Sequence, residues 1–257
     1  MLSKAATRLL RVEDRDYVPL ALPTTDLRLF DVLARAGRVL RRYSRLDEVL
    51  TVEPATPPVS VTDDEPVVAT SGSGQGTAKL GIGLAAVSAV LEAFGGKGDF
   101  TIKTEKANRI RYAYTDVTAD RVDLVSLDAW LNHADMRTDV RRVADLLAAQ
   151  RLYVVVATLK ARSLKVSFLD ENSAAAEIDV AAVQDIAGGN ITVSGDRKRT
   201  SELVFTGARP LTVAAKAAQL SIDDHGIWVN ERYGGFGEIR GLGDGRVFFE
   251  HDVLHLA

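Results

Sequence analysis

The chain has 257 residues, 46% of them apolar and 26% charged, and a formal net charge of −3; that composition suits one large or two small globular domains and not a disordered segment. With no cysteine there can be no disulfide framework, thiolate metal site or thiol nucleophile, and the slightly acidic balance offers no field for nucleic acid. The first residues, Met1 to Arg11, lack the apolar run of a secretory signal, and no stretch reaches the ~20 apolar residues of a spanning helix, so a cytosolic address is expected.

Residues 1–23 begin with a short basic helix candidate and continue as an extended piece, Tyr17-Val-Pro-Leu-Ala-Leu-Pro23. Thr24 or Thr25 is then expected to cap a helix running to about Leu50, because Leu29, Leu33, Ala36 and Leu40 repeat at helical spacing. Arg35, Arg38, Arg42 and Arg45 fall near one polar row of that helix. Residues 1–50 carry ten Lys/Arg against seven Asp/Glu, so the row reads either as a solvated face or as a surface for anionic lipid head groups. From Thr51 to Gly76 the chain looks like a long loop, with Pro54, Pro57, Pro58, Pro66, the acidic Asp63-Asp64-Glu65 and Ser71-Gly-Ser-Gly-Gln-Gly76.

Leu80 to Leu91 is free of charge and reads two ways. Leu80, Ile82 and Leu84 alternate as in a strand, whereas Val87, Val90, Leu91 and Phe94 are spaced as in a helix. Beyond it Ile110, Tyr112 and Tyr114 alternate with Arg109, Arg111 and Ala113, the pattern of a half-buried strand. A helical interlude is expected over Leu127–Met136, followed by a second helix capped by Thr138 that carries Val140, Val143, Leu146 and Leu147. Strands are expected at Leu152–Leu159, Leu164–Phe168, Ile191–Val193, Glu202–Phe205, Leu211–Val213 and Gln219–Ile222. The last of these closes a hairpin with Ile227–Val229 across Asp223-Asp-His-Gly226. Strands joined mostly by turns, with the helices set apart, predict an α+β fold on an antiparallel or mixed sheet.

No catalytic constellation assembles. Gly81-Ile-Gly-Leu-Ala-Ala86 matches a dinucleotide fingerprint, but the residues before it do not read as the buried strand that such a site needs. His251 and His255 stand four apart, yet the intervening Asp-Val-Leu offers no zinc-site neighbour, so they read as exposed tail histidines. Neither a metal nor a cofactor is expected, and the chain reads as a non-enzyme. A nucleotide-dependent oxidoreductase is the weaker alternative.

The C-terminal segment has its own logic. Gly234 to Gly245 contains six glycines in twelve residues, a flexible and cleavable connector. Arg240 and Arg246 offer bonds to a trypsin-like protease, and Asp244 offers one to a protease that prefers acidic residues. The tail then turns apolar, and Phe248, Phe249, Val253, Leu254 and Leu256 need a surface to dock on. It is either the last structural element or an autoinhibitory ligand held by its tether.

Four segments together resemble the bacterial gasdermins: Tyr17 to Leu27; Leu80 to Leu91 leading into Lys106-Ala-Asn-Arg-Ile-Arg-Tyr-Ala-Tyr-Thr-Asp-Val117; Asp120-Arg-Val-Asp-Leu-Val-Ser-Leu-Asp-Ala-Trp-Leu131; and Val183 to Val193 with Phe205 to Leu220. The resemblance implies a twisted sheet with peripheral helices over about 1–240, a C-terminal inhibitory peptide at about 241–257, and no cofactor. It implies activation by a caspase-like or trypsin-like protease, then self-assembly on anionic lipids of the inner membrane into a ring that kills the cell, in antiphage defence. Two hairpin regions, about Gly76–Val117 and Leu152–Thr206, would refold into spanning strands. Leu80, Ile82, Leu84, Val87, Val90, Leu91, Leu164, Val166 and Phe168 are the residues expected to insert. Many members acylate a cysteine near the N-terminus; this chain has Ser3 and Ala5 in that region, so an acyl-dependent step does not carry over. The competing expectation is a non-catalytic cytosolic binding module whose tail is purely structural.

Overall fold

The protein is described from a computed structural model covering residues 17–36, 39–67, 75–96, 107–137, 141–179, 183, 191–195 and 199–230. Its frame is two long strands, β9 (Leu152–Leu169) and β13 (Glu202–Asp223), paired antiparallel over most of their length. One edge of β13 receives β11 (Ile191–Ser194), β1 (Val18–Thr24) and β14 (Gly226–Asn230). The free edge of β9 pairs with β2 (Asp31–Ala36), which carries β3 (Val39–Arg45), and with β7 (Arg109–Val122). Beyond β7 lie β5 (Val61–Pro66) and β6 (Gln75–Lys79), completing a ten-stranded sheet. Two small ribbons, β4 (Leu50–Val52) with β8 (Ala134–Met136) and β10 (Ile178–Asp179) with β12 (Arg199–Thr200), stand apart. Among the described residues the helical elements with stated bounds are α1 (Leu46–Val49), α2 (Leu80–Ala93), α3 (Leu124–Leu131) and α4 (Arg141–Ala148). This is the expected α+β class.

The sheet is buried against different layers along its length. Leu152, Val154 and Val156 of β9 enter one core with Leu127, Leu131, Val143 and Leu147 of α3 and α4. Tyr153 and Val155 face the opposite way, into a small core with Leu20, Leu33 and Leu40. Farther along, Leu164, Val166 and Phe168 share a third core with α2.

Several expectations are corrected. The helix expected from Thr24 to Leu50 is instead β1, a turn, the β2–β3 hairpin and the short α1. Thr24 does not cap a helix; its hydroxyl accepts from the Asp26 amide in a tight turn. Phe30 holds φ 64, outside helical space, and Val32 and Leu33 are both buried, on opposite faces of β2. A strand covered on both sides loses its period of two and can imitate a helical stripe. The long loop expected over Thr51–Gly76 contains β4 and β5 and the start of β6. All six β5 residues are exposed, so no apolar alternation marked it.

The helical interlude is α3 followed by β8, with Asp123 capping α3 through the Ser126 amide. Thr138 and Val140 lie outside the described residues, but Val143, Leu146 and Leu147 are buried on α4 as expected. Leu152–Leu159 and Leu164–Phe168 belong to one strand, β9, and the three segments from Glu202 to Ile222 to another, β13. The polar residues between the expected pieces are bulges and outward-facing positions, not strand ends. Residues 75–79, expected not to form a strand, are β6 and lead directly into α2. β6 pairs antiparallel with β7, so the arrangement still lacks the parallel βαβ crossover of a dinucleotide site.

Candidate membrane-inserting region

Below the middle of the sheet β6, β7, β9, β13 and β11 lie side by side. Register places Ile110, Tyr112 and Tyr114 opposite Phe168, Val166 and Leu164. Val166 and Leu164 in turn oppose Leu203 and Phe205, and Phe205 opposes Val193. Paired residues share a face, and all of these are buried in one core. The other face carries Arg111, Ser167 and Glu202 in one row and Ala113, Lys165, Val204 and Ser194 in the next. There Glu202 accepts from Lys165 at 2.7 Å and from Ser167 at 3.2 Å. The patch is thus two-faced, apolar on one side and mostly polar on the other, where Ala113, Val204 and Leu169 interrupt the polar rows.

Helix α2 covers the apolar side. Val87, Val90 and Leu91 are buried there and Leu84 packs partly against it, each full burial being worth about 1.5–3 kcal/mol. The helix ends at Gly95, φ 89. The Gly96 amide donates to the Leu91 carbonyl and the Gly95 amide to that of Glu92, a Schellman stop that needs a residue tolerant of the left-handed region. Phe94, at the cap, lays its ring on β13. A Cβ at Gly207 would stand 2.2 Å from Phe94 Cδ1, so only glycine admits the ring.

The residues expected to insert therefore meet in one place: Val87, Val90 and Leu91 from above, Leu164, Val166 and Phe168 from below. Leu80 and Ile82 also belong to α2, but their side chains lie outside the described ones. The described members of the arginine row expected on a helix are instead on the β2–β3 hairpin. Arg35 is in β2; Arg42 and Arg45 are in β3. Arg42 contacts the buried Asp31 at 3.1 Å and Arg45 contacts Asp47 at 3.3 Å. Arg38 lies outside the described residues, as do Arg240, Asp244, Arg246, Phe248, Phe249, Val253, Leu254, Leu256, His251 and His255. Among the described residues no cluster of His, Asp or Glu is arranged for a metal, and no helix is long and apolar enough to cross a membrane.

Sequence reasoning missed three features. The Phe94–Gly207 contact joins residues far apart in the chain, although a glycine followed by Pro210 within a strand run is a bulge signal. Lys160 bridges Asp64 and Asp120, 2.7 Å from each, and so ties β5 to β7 and β9. Ser163, which is buried, donates to Asp116 at 2.8 Å and lies 3.0 Å from the Thr206 hydroxyl. Neither polar cluster has a local sequence pattern.

Comparison with known proteins gives a consistent match. The model of the Bacterial Gasdermin Family matches residues 20–227. A gasdermin bGSDM from a Desulfuromonadales bacterium is 30% identical over 209 residues, 81% of this chain and 79% of the relative. One from Lysobacter enzymogenes is 26% identical over 216 residues, covering 81% and 78%. The solved structure of a bacterial gasdermin from Bradyrhizobium tropiciagri superposes with a TM-score of 0.59 at 15% identity, over 84% of this chain and 86% of that one.

Proposed function

The chain belongs to the bacterial gasdermin family, and on that premise we propose that it is a latent pore-forming cell-death effector. It rests in the cytoplasm, is silenced by residues 241–257 and is released by proteolysis in the Gly234–Gly245 connector. The cut body assembles with copies of itself on the anionic inner membrane, and in its host it serves antiphage defence.

The observation that carries this reading is the two-faced sheet beneath α2. A spanning strand needs alternating polarity, one face to lipid and one to an aqueous lumen, and a closed ring so that no strand edge is left unpaired in hydrocarbon. β7, β9 and β13 already have that alternation, with Ile110, Tyr112, Tyr114, Leu164, Val166, Phe168, Leu203 and Phe205 on one side. In water the apolar side must be covered, and α2 covers it. Removal of the cover turns a folded sheet into a set of amphipathic strands without changing their internal polarity. Arg111, Lys165 and Glu202 then face the lumen, where a charge is tolerated, and not lipid, where it costs about 2–4 kcal/mol at the midplane.

Arg35, Arg38, Arg42 and Arg45 remain candidates for head-group contact, with Arg42 and Arg45 first having to exchange their carboxylate partners. The test is dye release from anionic liposomes by the intact chain and by a chain ending at Arg240. Release by the shorter chain alone supports the reading. Inertness of both on every lipid tried favours the binding-module alternative.

A further inference from the structure

The long strands change character along one line across the sheet. On β7 the residues that enter the α2 core are Ile110, Tyr112 and Tyr114, and beyond Asp116 they are Val117 and Ala119. On β9 they are Phe168, Val166 and Leu164, and beyond Ser163 they are Ala161 and Leu159. Buried positions thus switch from even to odd at the same level on both strands. Asp116 takes φ 53 at the switch, a left-handed conformation that a residue other than glycine adopts only at some cost. On β13 the pairing with β9 jumps from Thr206↔Ser163 to Leu211↔Ala161. The four residues Gly207–Pro210 therefore stand against Arg162 alone, a bulge that bends a strand.

A hydrogen-bonded row marks this line. Ser163 has one hydroxyl proton, and it goes to Asp116; Thr206 therefore donates to Ser163. On the far side of the line β5 grips β7. The Val67 amide donates to the Val117 carbonyl at 3.1 Å, Thr118 donates to Asp64 at 3.3 Å, and Lys160 joins Asp64 to Asp120. On the near side β5 is absent and β6 takes its place, from Arg109 to Ala113.

We propose that the row Asp116–Ser163–Thr206 is the hinge of the pore-forming transition. Resting on the pore-forming reading, the inference adds where the moving part ends: residues 109–115, 163–169 and 202–206 leave the body together, and Val117 onward, Ala161 backward and Leu211 onward stay behind. The reason is periodicity. Only below the row do all three strands alternate, β7 over 109–115, β9 over 164–168 and β13 over 202–206, as a lipid-facing strand requires. Above it β9 is buried on both faces, from Leu152 to Leu159, and cannot present one polar side. The spanning part of β9 therefore begins at Ser163, not at Leu152. Seven residues of β7 fall short of the ~9–11 that cross a bilayer, so the remaining length comes from the flanking chain at the other end of the strand, away from the hinge.

The test uses the unsubstituted full chain, cut in its connector on anionic liposomes that contain a phospholipid with a photoreactive diazirine in its acyl chain. Dye release is followed on the same vesicles, and lipid adducts are mapped by mass spectrometry. The expected map has adducts on Tyr112, Tyr114, Leu164, Val166, Leu203 and Phe205 and none on Ala119, Leu159, Ala161 or Leu211. Adducts on both sides of the row in leaking vesicles, or limits at different levels on the three strands, overturn the hinge while leaving pore formation intact. Vesicles that never leak overturn both. Ser163→Ala provides a second reading. Loss of the shared hydroxyl is expected to raise the leakage rate about twofold to tenfold, the scale of one net hydrogen bond; an unchanged or slower rate overturns the role given to the row.

Discussion

The ring of Phe94 lies on the backbone of Gly207, so close that a Cβ there would come within 2.2 Å of Cδ1. This contact fastens the end of α2 to β13 and makes a glycine in a strand a requirement of the covered state. Gly207→Ala should therefore destabilise the intact protein and speed dye release after cutting. In a Phe94→Ala background, which itself costs about 3–5 kcal/mol, the same Gly207→Ala change should cost little, because the ring it strikes is gone. Thermal unfolding of the two single variants and the double variant measures the coupling. Equal penalties in both backgrounds would mean that the two residues do not oppose each other.

Tyr112 carries a second strain of the covered state. Its hydroxyl is buried and, among the described residues, has no hydrogen-bond partner, a desolvation penalty of about 1–3 kcal/mol. Tyr112→Phe removes the orphan without changing the ring. The melting temperature of the intact protein should rise and release after cutting should slow. A fall in melting temperature would indicate that the hydroxyl is satisfied in solution.

Leu84 is a better probe of insertion than Val87. Val87 is 1% exposed, and a carboxylate there would unfold the resting protein and decide nothing. Leu84 is only partly buried against the core, so Leu84→Asp should leave a folded, soluble chain. If α2 enters lipid, its release rate after cutting should drop at least about tenfold, in keeping with the cost of a carboxylate within a bilayer. Release at the unsubstituted rate would place α2 outside the hydrocarbon.

Acid should loosen β5 through Asp64. Its carboxyl is held below the ordinary carboxylate value, first by the hydrogen bond from Lys160 and then by the Lys160 charge. A group with a depressed folded value contributes fully above its unfolded value, about 3.9, and loses that contribution as pH falls through the folded one. Amide exchange at Val61–Glu65, corrected for its intrinsic pH dependence, should thus be flat from neutral pH to about 4.5 and rise below it. Lys160→Met should remove the step. Asp64 is largely solvated, so the effect belongs to β5 and not to global stability.

What could be read in the sequence was whatever obeyed a period. Ile110, Tyr112 and Tyr114 announced β7 because one face of that strand is covered and the other is wet. Val87, Val90, Leu91 and Phe94 carried the helical spacing that α2 adopts, while the alternation of Leu80, Ile82 and Leu84 kept the strand reading open beside it. The set from Leu29 to Leu40 misled for the converse reason, since both faces of β2 are buried and the alternation is erased. β5 was silent because pairing with β7, and not burial, makes it a strand. Phe94–Gly207, Lys160 with Asp64 and Asp120, and the row at Ser163 join residues distant in the chain, which no local pattern can show. The residues proposed to insert were legible as a group because membranes and cores ask for the same apolar alternation; which partner covers them was not.

The central claim is that cutting the connector converts a silent protein into a pore. The direct measurement places a site for an unrelated protease between Gly241 and Gly245 and adds that protease to the otherwise unsubstituted chain on dye-loaded anionic liposomes. Loss of the tail after Arg240 removes a net charge of −2 and ends the high effective concentration of a tethered ligand, so dilution lets the tail leave. The account predicts no release before cutting, release that begins with cutting, and membrane-bound oligomers of the body. Release by the uncut chain would contradict latency, and a cut body that stays monomeric and inert on every lipid tried would contradict pore formation.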